Sequence, residues 1–369
     1  MTDRQTDRQT DRQTAPTQKK RIEYLDALRG FTMMLVVINH VYNYTYGFNE
    51  EQVAGSFNYI FQLFRMPLFF FVAGFVLYKK DMVWNFGNSL SFLKKKLTVQ
   101  ILSPILFWLA YVTVKNINIT ESILSINKSG YWFTFTLFEY FILYIIFQAT
   151  VRLANLKGWV NDILLICYGF AIIVLPYARN FIAGAGGNET VNNILSIIGV
   201  DNFRLFVFFV FGTLIRKHFT KFEELLDNKN LVVYCLITFI ALNIIIPNIN
   251  VYDKMIQIVF KLFLGICGIV ITFSFFRRYQ SIFGKEKLPG RLLQFVGRRT
   301  LDIYLLHYFF LPTGLRGKLN VLSDFNMPIL DFSMAILLAA IVICACLAVS
   351  SVLRMHPGMA HFLFGAQKK

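Results

Sequence analysis

An arginine and a histidine lie eleven residues apart in an otherwise apolar stretch, LRGFTMMLVVINHVYNYTYGF (residues 28–48). Eleven steps of about 100° bring an α-helix back to nearly the same face. Arg29 and His40 therefore share one side of the helix that this stretch predicts, in a polar stripe with Asp26 and Asn43. Histidine is the side chain best able to move a proton near neutral pH, so His40 is the first candidate for a catalytic group.

Four further ionisable side chains interrupt apolar segments, where such groups are costly and commonly functional: Arg65, Glu139, Lys261 and His307. At about 1.5 Å per residue, they and His40 lie at one depth, roughly 7–12 Å below one surface. A shared depth predicts one polar chamber. The alternatives are an Arg65–Glu139 pair that joins two helices, a Lys261 that snorkels to the interface, and a His307 bonded between helices.

Two other polar stripes have helical spacing, which predicts that they face protein or water rather than lipid. Their members are Asn58, Gln62 and Arg65 in one segment, and Thr300, Tyr304 and His307 in another.

The composition places these residues in a membrane protein. Of 369 residues, 56% are hydrophobic and only 16% are charged, unlike a soluble domain. The net charge of +16 indicates basic cytoplasmic loops, and no nucleic-acid-binding motif accompanies it. The five cysteines all lie in apolar runs, which predicts buried core residues with no disulfide framework and no metal site.

Ten segments are apolar enough to span a bilayer, so we expect an all-α membrane bundle of about ten helices. With the N-terminus in the cytoplasm, 27 Lys and Arg residues fall in inner segments and seven in outer ones. The positive-inside rule therefore predicts that both termini are cytoplasmic. The segments are 27–46, 57–78, 97–114, 131–151, 160–177, 202–217, 230–246, 254–276, 291–312 and 329–353.

The sequence predicts that the chain is divided into three units. Residues 1–20 hold three TDRQ repeats and are predicted to be a disordered tail without a signal peptide. Residues 21–356 form the membrane domain, and residues 357–369 are expected to be a short cytoplasmic tail.

The segment RIEYLDALRGFTMMLVVINH (21–40) resembles the first helix of the membrane acyltransferase-3 family, in which a basic residue, ten positions and a histidine follow one another. Arg29 and His40 fit that spacing. Four later segments resemble family landmarks in the same order: FRMPLFFFVAGF (64–75), YWFTFTLFEYFILY (131–144), FFVFGTLIRK (208–217) and GRRTLDIYLLHYF (297–309).

The resemblance implies a bacterial inner-membrane enzyme, in its stand-alone form without a fused extracytoplasmic domain. Its donor would be acyl-CoA, with acetyl-CoA the first candidate, and its acceptor a hydroxyl of a carbohydrate or lipid-linked glycan. His40 would act as general base or carry the acyl group itself. Glu139 could orient an imidazole, and Arg65 or His307 could stabilise the thioester oxyanion.

The phosphates of coenzyme A would meet basic residues at the inner edge: Arg29, Lys95, Lys96, Arg298 and Arg299. Ordinary positive-inside loop charge explains these residues equally well, and Arg29 could instead pair with an acidic residue to fix the end of its helix. Gln100 stands where many family members carry an arginine.

The candidates for acceptor binding are Asn43, Tyr304 and Trp132, although aromatic residues at this depth are also typical of an interfacial belt. Two functions from other classes remain open, a proton-coupled transporter and a flippase-like component of a glycan pathway. Transporters often contain internal repeats, and residues 27–177 and 202–353 show no convincing one.

Overall fold

The fold consists of helices joined by turns, and no strand occurs in the part of the chain that the structure describes. The all-α prediction is therefore confirmed. The TDRQ repeats lie outside the described residues. This computed structural model describes residues 22–48, 53, 56–156, 158–179, 188–248, 254–313, 315 and 328–365.

All ten predicted spans are mainly helical where they are described, and the span 291–312 is divided into two helices at Arg299. The helices are α1 (Glu23–His40), α2 (Asn58–Leu77), α3 (Phe86–Leu97), α4 (Ser103–Val114), α5 (Ile119–Leu124), α6 (Trp132–Leu153), α7 (Gly158–Val174), α8 (Glu189–Ile198), α9 (Phe206–Lys217), α10 (Phe219–Asp227), α11 (Lys229–Asn248), α12 (Lys254–Arg278), α13 (Leu288–Arg298), α14 (Thr300–Phe310), α15 (Pro328–Leu353) and α16 (Pro357–Phe364). Two π-helical turns, Val41–Tyr46 and Thr98–Leu102, follow α1 and α3, and two 3-10 turns, Lys128–Gly130 and Val200–Leu205, precede α6 and α9.

Five described helices are long and apolar enough to cross a membrane, or up to seven if each of two bent helix pairs is one span. The first helix is not among them, because its 18 residues include three charged ones. Helices α13 and α14 are only 11 residues each. The chain is therefore a polytopic membrane protein, while a total of ten spans and the side on which the termini lie stay predictions.

Helix α1 lies at the centre of the bundle and packs against α2, α12, α13, α14 and α15. Its contact with α13 depends on two glycines. A Cβ on Gly30 would collide with the carbonyl oxygen of Leu293, and one on Gly297 would collide with that of Asp26. Glycine at both positions lets the two backbones touch, as at close helix crossings in other membrane proteins.

A buried carboxylate fixes the beginning of α14. Asp302 is 1% exposed and accepts two hydrogen bonds of 2.7 Å from Arg354, at the end of α15. The Arg354 guanidinium also lies 4.7 Å above the ring of Phe364. Residues expected to form a tail thus include a helix, α16, whose Phe364 is buried against the bundle.

Candidate active site

A cavity of about 480 Å³ lies between α1, α2, α3, α6 and α14. Its wall is mostly apolar, and its polar members are concentrated around two residues of α1, Arg29 and His40. Eleven residues of helix separate them by about 16 Å along the axis. We call the two regions the Arg29 end and the His40 end. The remaining polar lining groups are the side chains of Arg65, Lys79, Lys96, Gln100, Thr134, Thr300 and Tyr304 and the backbone of Gly130.

At the His40 end, the imidazole of His40 lies among aromatic rings. Its Nε2 is 3.0 Å from the hydroxyl of Tyr308. The His40 ring centroid is 5.1 Å from that of His307 and 5.7 Å from that of Tyr44. The other ring nitrogen, Nδ1, is buried and has no hydrogen-bond partner among the described residues. One nitrogen is thus held by the protein, and the hydrogen-bonding capacity of the other is unused.

The 3-10 turn before α6 supplies a backbone acceptor to this end. Gly130 lines the cavity, and its carbonyl oxygen accepts hydrogen bonds from Tyr304 (3.1 Å) and Tyr308 (3.3 Å). The Tyr304 hydroxyl also accepts from the backbone N–H of Phe133 at 3.2 Å. Tyr304 and Trp132 both line the cavity, as an acceptor-binding residue must, but the hydroxyl of Tyr304 is already bonded to the backbone.

The two candidates for the oxyanion differ in what they can offer. His307 is fully buried, and its Nδ1–H donates to the carbonyl of Ile303 at 2.9 Å, so its Nε2 carries a lone pair. A lone pair cannot stabilise an oxyanion. Arg65 lines the cavity, and its buried Nη1 has no hydrogen-bond partner among the described residues. The geometry therefore favours Arg65 as the group that donates a hydrogen bond to the oxyanion.

Glu139 lies away from the cavity wall, so the structure does not bring it to His40. Its carboxylate faces Gly199, at the turn before α9. One cation whose charge acts on Glu139 is Lys128, whose ammonium donates to the carbonyls of Ile123 (3.0 Å) and Ser196 (2.8 Å). Burial lowers the pKa of Lys128, and the charge of Glu139 opposes that shift. Oε2 of Glu139 is buried without a hydrogen-bond partner among the described residues, so a role for Glu139 beside His40 stays a prediction.

The Arg29 end gathers basic side chains from three elements. The guanidinium of Arg29 donates to Thr300 Oγ1 at 3.1 Å and lies 3.7 Å from the carboxylate of Asp26. Arg29 therefore lines the cavity and also pairs within its own helix. Lys96 of α3 and Lys79, which follows α2, complete the basic group.

The other predicted basic residues do not reach the cavity. Lys95 is exposed beside Lys96, which points inward. Arg298 is exposed and donates to the carbonyl of Gln294 in its own helix at 3.1 Å. Arg299 donates to Ser350 at 3.1 Å and lies 3.6 Å from Asp302. Of the five basic residues predicted to bind coenzyme A, the structure therefore places two at the cavity and three outside it.

Two more predicted residues are placed outside the cavity. Asn43 is exposed because the helix changes to a π-turn at Val41, so the spacing of 100° per residue no longer holds beyond His40. Lys261 is exposed on α12. Among the described residues, no group of three or more His, Cys, Asp or Glu side chains is placed to hold a metal ion.

Sequence reasoning missed Tyr308, Gly130 and Lys79. Tyr308 follows His307 directly, and Lys79 immediately follows the second apolar segment, so both carried a weak signal. Gly130 carried none, because its importance comes from two side chains of α14 that are more than 170 residues away in sequence.

A sequence model of the acyltransferase-3 family, described as an acyltransferase domain, matches residues 22–355. The chain belongs to this family. The resemblance predicted from five segments is therefore confirmed, and the matched region contains every residue that lines the cavity of this membrane acyltransferase. A search of curated proteins and a search of solved structures found no significant match.

Proposed function

We propose that this membrane acyltransferase moves an acyl group, with acetyl the first candidate, from acyl-CoA to a hydroxyl of a carbohydrate or lipid-linked glycan. The observation that carries the proposal is that one cavity has basic side chains at one end and a histidine at the other. The phosphates of coenzyme A suit the Arg29 end, and about 16 Å of cavity suits an extended pantetheine arm.

The charge distribution supports an orientation for this reaction. The excess of Lys and Arg in one set of connections favours a cytoplasmic Arg29 end, in the inner membrane of a bacterium. Acyl-CoA would then enter from the cytoplasm, and its thioester would reach His40 in the outer half of the bilayer. An acceptor that approaches from outside would meet the thioester there, beside Trp132.

In the direct route, the acceptor oxygen attacks the thioester carbonyl carbon while His40 takes the hydroxyl proton. The buried N–H of Arg65 stabilises the oxyanion that forms. When the C–S bond breaks, coenzyme A leaves as the thiolate and receives the proton from His40. In the second route His40 attacks the thioester carbonyl carbon, and coenzyme A leaves as the thiolate. The acceptor oxygen then attacks the acyl carbon, the bond to His40 breaks, and the hydroxyl proton passes to the thiolate or to water.

The test is transfer of a labelled acetyl group from acetyl-CoA by the purified protein in lipid nanodiscs. We expect turnover by the wild type, and a loss of about 10²–10⁴-fold in His40→Ala, as for removal of a general base or nucleophile. His218→Ala is the matched control, because His218 bonds to Asp162 and does not line the cavity. Near-normal turnover by His40→Ala would refute the assignment.

The acceptor is identified by running the same assay with carbohydrates and lipid-linked glycans. A wild type that binds glycans but neither transfers nor hydrolyses the acyl group would favour the transporter or flippase-like function. Trapping a labelled acyl-protein in the absence of acceptor, lost in His40→Ala, would select the second route.

A further inference from the structure

Three groups at the His40 end form a continuous chain of hydrogen bonds. His40 Nε2 lies 3.0 Å from the hydroxyl oxygen of Tyr308, and this oxygen lies 3.3 Å from the carbonyl oxygen of Gly130. Tyr308 is 1% exposed, so no bulk water competes for either bond. The chain links an imidazole on α1 through a side chain of α14 to the backbone before α6.

The chemistry of the three groups allows two directions of the chain. A carbonyl oxygen only accepts, and a phenol has one hydrogen to give. If Tyr308 gives that hydrogen to Gly130, the phenol oxygen must accept from His40, whose proton is then on Nε2. The lone pair of the neutral imidazole is consequently on Nδ1, the buried nitrogen without a partner among the described residues.

We infer that Tyr308 is a positioning residue that holds His40 in the Nε2–H tautomer, so that Nδ1 is the nitrogen that reacts. This inference rests on the proposed role of His40 and adds which atom acts and what orients it. In the direct route Nδ1 takes the proton of the acceptor hydroxyl. In the second route Nδ1 attacks the thioester carbon and coenzyme A leaves as the thiolate.

This direction of the chain needs no rearrangement during the reaction. When Nδ1 gains a proton or an acyl group, the ring becomes positively charged, and its Nε2–H continues to donate to the same phenol oxygen. With the opposite direction, Tyr308 would donate to Nε2, and its hydroxyl would have to rotate before the imidazolium could form. Groups that keep one orientation throughout are the ones that lower a barrier efficiently.

The other groups around His40 do not replace Tyr308. His307 has committed its Nδ1–H to its own helix, and it contacts His40 through its ring. Tyr44 contacts the ring at 5.7 Å between centroids. The positive charge of Arg65 disfavours a positively charged His40 ring. A hydrogen-bond acceptor at Tyr308 therefore matters more for stabilising the imidazolium.

The acceptor at the end of the chain is itself fixed by an unusual turn. Lys128 and Ser129 have φ of 42° and 50°, which non-glycine residues seldom adopt, and Gly130 has φ of 101°. Two side chains hold the turn in place. The ammonium of Lys128 donates to two carbonyls, and the hydroxyl of Tyr131 donates to the carbonyl of Leu305 at 2.9 Å. A strained turn held in this way is typical of a functional site.

The tautomer can be read without activity, by NMR of protein labelled with ¹⁵N-histidine. The chain has five histidines, and the difference from His40→Gln identifies the signals of His40. We expect a protonated Nε2 and an unprotonated Nδ1 in the wild type, and loss of this preference in Tyr308→Phe. A protonated Nδ1 in the neutral wild type would overturn the inference.

Kinetics separate positioning from a merely structural role. In Tyr308→Phe we expect kcat to fall by about tenfold to a hundredfold, with the KM for acetyl-CoA unchanged, because a bond to a charged group is lost. Tyr111→Phe is the matched control: Tyr111 is buried 5.7 Å from the Tyr308 ring and does not line the cavity. We expect its kcat to stay close to that of the wild type.

An unchanged kcat in Tyr308→Phe, or an equal fall in both variants, would overturn the inference. The proposed function fails separately, if the wild type transfers no acyl group. In that case the NMR measurement still decides whether Tyr308 sets the tautomer of His40.

Discussion

The two ends of the cavity are built in different ways. At the His40 end, three polar side chains are fixed by the backbone: Tyr304, Tyr308 and His307 are buried and bonded to backbone carbonyls. At the Arg29 end the polar groups are long side chains, and that of Arg29 is 33% exposed. Lys96 extends over two aromatic rings, 5.3 and 5.6 Å from their centroids.

This difference matches two different tasks. A group that reacts must be held within a few tenths of an ångström, and packing with backbone hydrogen bonds provides that precision. Groups that recognise phosphates need charge and reach, which flexible basic side chains provide. We therefore expect changes at the His40 end to lower kcat and changes at the Arg29 end to raise the KM for the donor.

Among substitutions that leave His40 in place, the largest effect is expected from Gly130→Ala. A Cβ at this position would collide with the ring of Tyr308, and φ of 101° is strained for alanine. The displaced ring would no longer hold His40, so kcat should fall by about a hundredfold or more, with a lowered Tm. Gly87→Ala is the control, since the nearest atom to its new Cβ would be 3.8 Å away. A normal kcat in folded Gly130→Ala would contradict the comparison.

Arg29→Ala should act on binding instead. Loss of a charged hydrogen bond to a phosphate is expected to raise the KM for acetyl-CoA by about tenfold to a hundredfold, with kcat within about threefold of the wild type. Arg29→Lys keeps the charge without the planar guanidinium, so its KM should lie between those of the wild type and Arg29→Ala. Steady-state kinetics at varied donor concentration checks this. A large fall in kcat at saturating donor would show that the two ends are not separate in function.

Lys96 and its neighbour Lys95 form a matched pair. Lys96→Ala should raise the KM for the donor by about threefold to tenfold, because this ammonium lines the cavity, whereas Lys95→Ala should change it by less than about twofold. The difference should shrink as ionic strength rises, since salt screens partly exposed charges. Equal effects of the two substitutions would mean that general surface charge, and not the cavity, attracts the donor.

The smallest effect is expected from Arg298→Ala. Its guanidinium bonds to its own helix and does not line the cavity, so kcat and KM should stay close to wild-type values. The free energy of unfolding should change by less than about 0.5 kcal/mol. Thermal unfolding with the same kinetic assay checks this. A clear rise in KM would mean that the donor also contacts residues outside the cavity lining.

Residues within one regular helix were the most predictable part of the site. The spacing of Arg29 and His40 placed both on one face, and both line the cavity. The same reasoning failed three residues later, because the π-turn at Val41 rotated Asn43 away. It could not separate Lys95 from Lys96, since that choice depends on how α3 is rotated against its neighbours.

Contacts between helices were less predictable. A common depth suggested that Glu139 and Lys261 belong with His40, yet depth fixes only one of three coordinates. Glu139 faces the turn at Gly199, and Lys261 is exposed on α12. Arg65, at the same depth, does line the cavity, because α2 presents that face to α1.

The sequence by itself determined that this protein is an all-α membrane protein of the acyltransferase-3 family, with an arginine and a histidine on one face of its first helix. Hydrophobicity, helical periodicity and local motifs contain that information, because they depend on residues near one another in the chain. Only the tertiary structure decided that Tyr308 meets His40, 268 residues away, and that the same hydroxyl of Tyr308 meets the carbonyl of Gly130. Such contacts depend on how helices pack, and packing is set by the whole set of side chains at once.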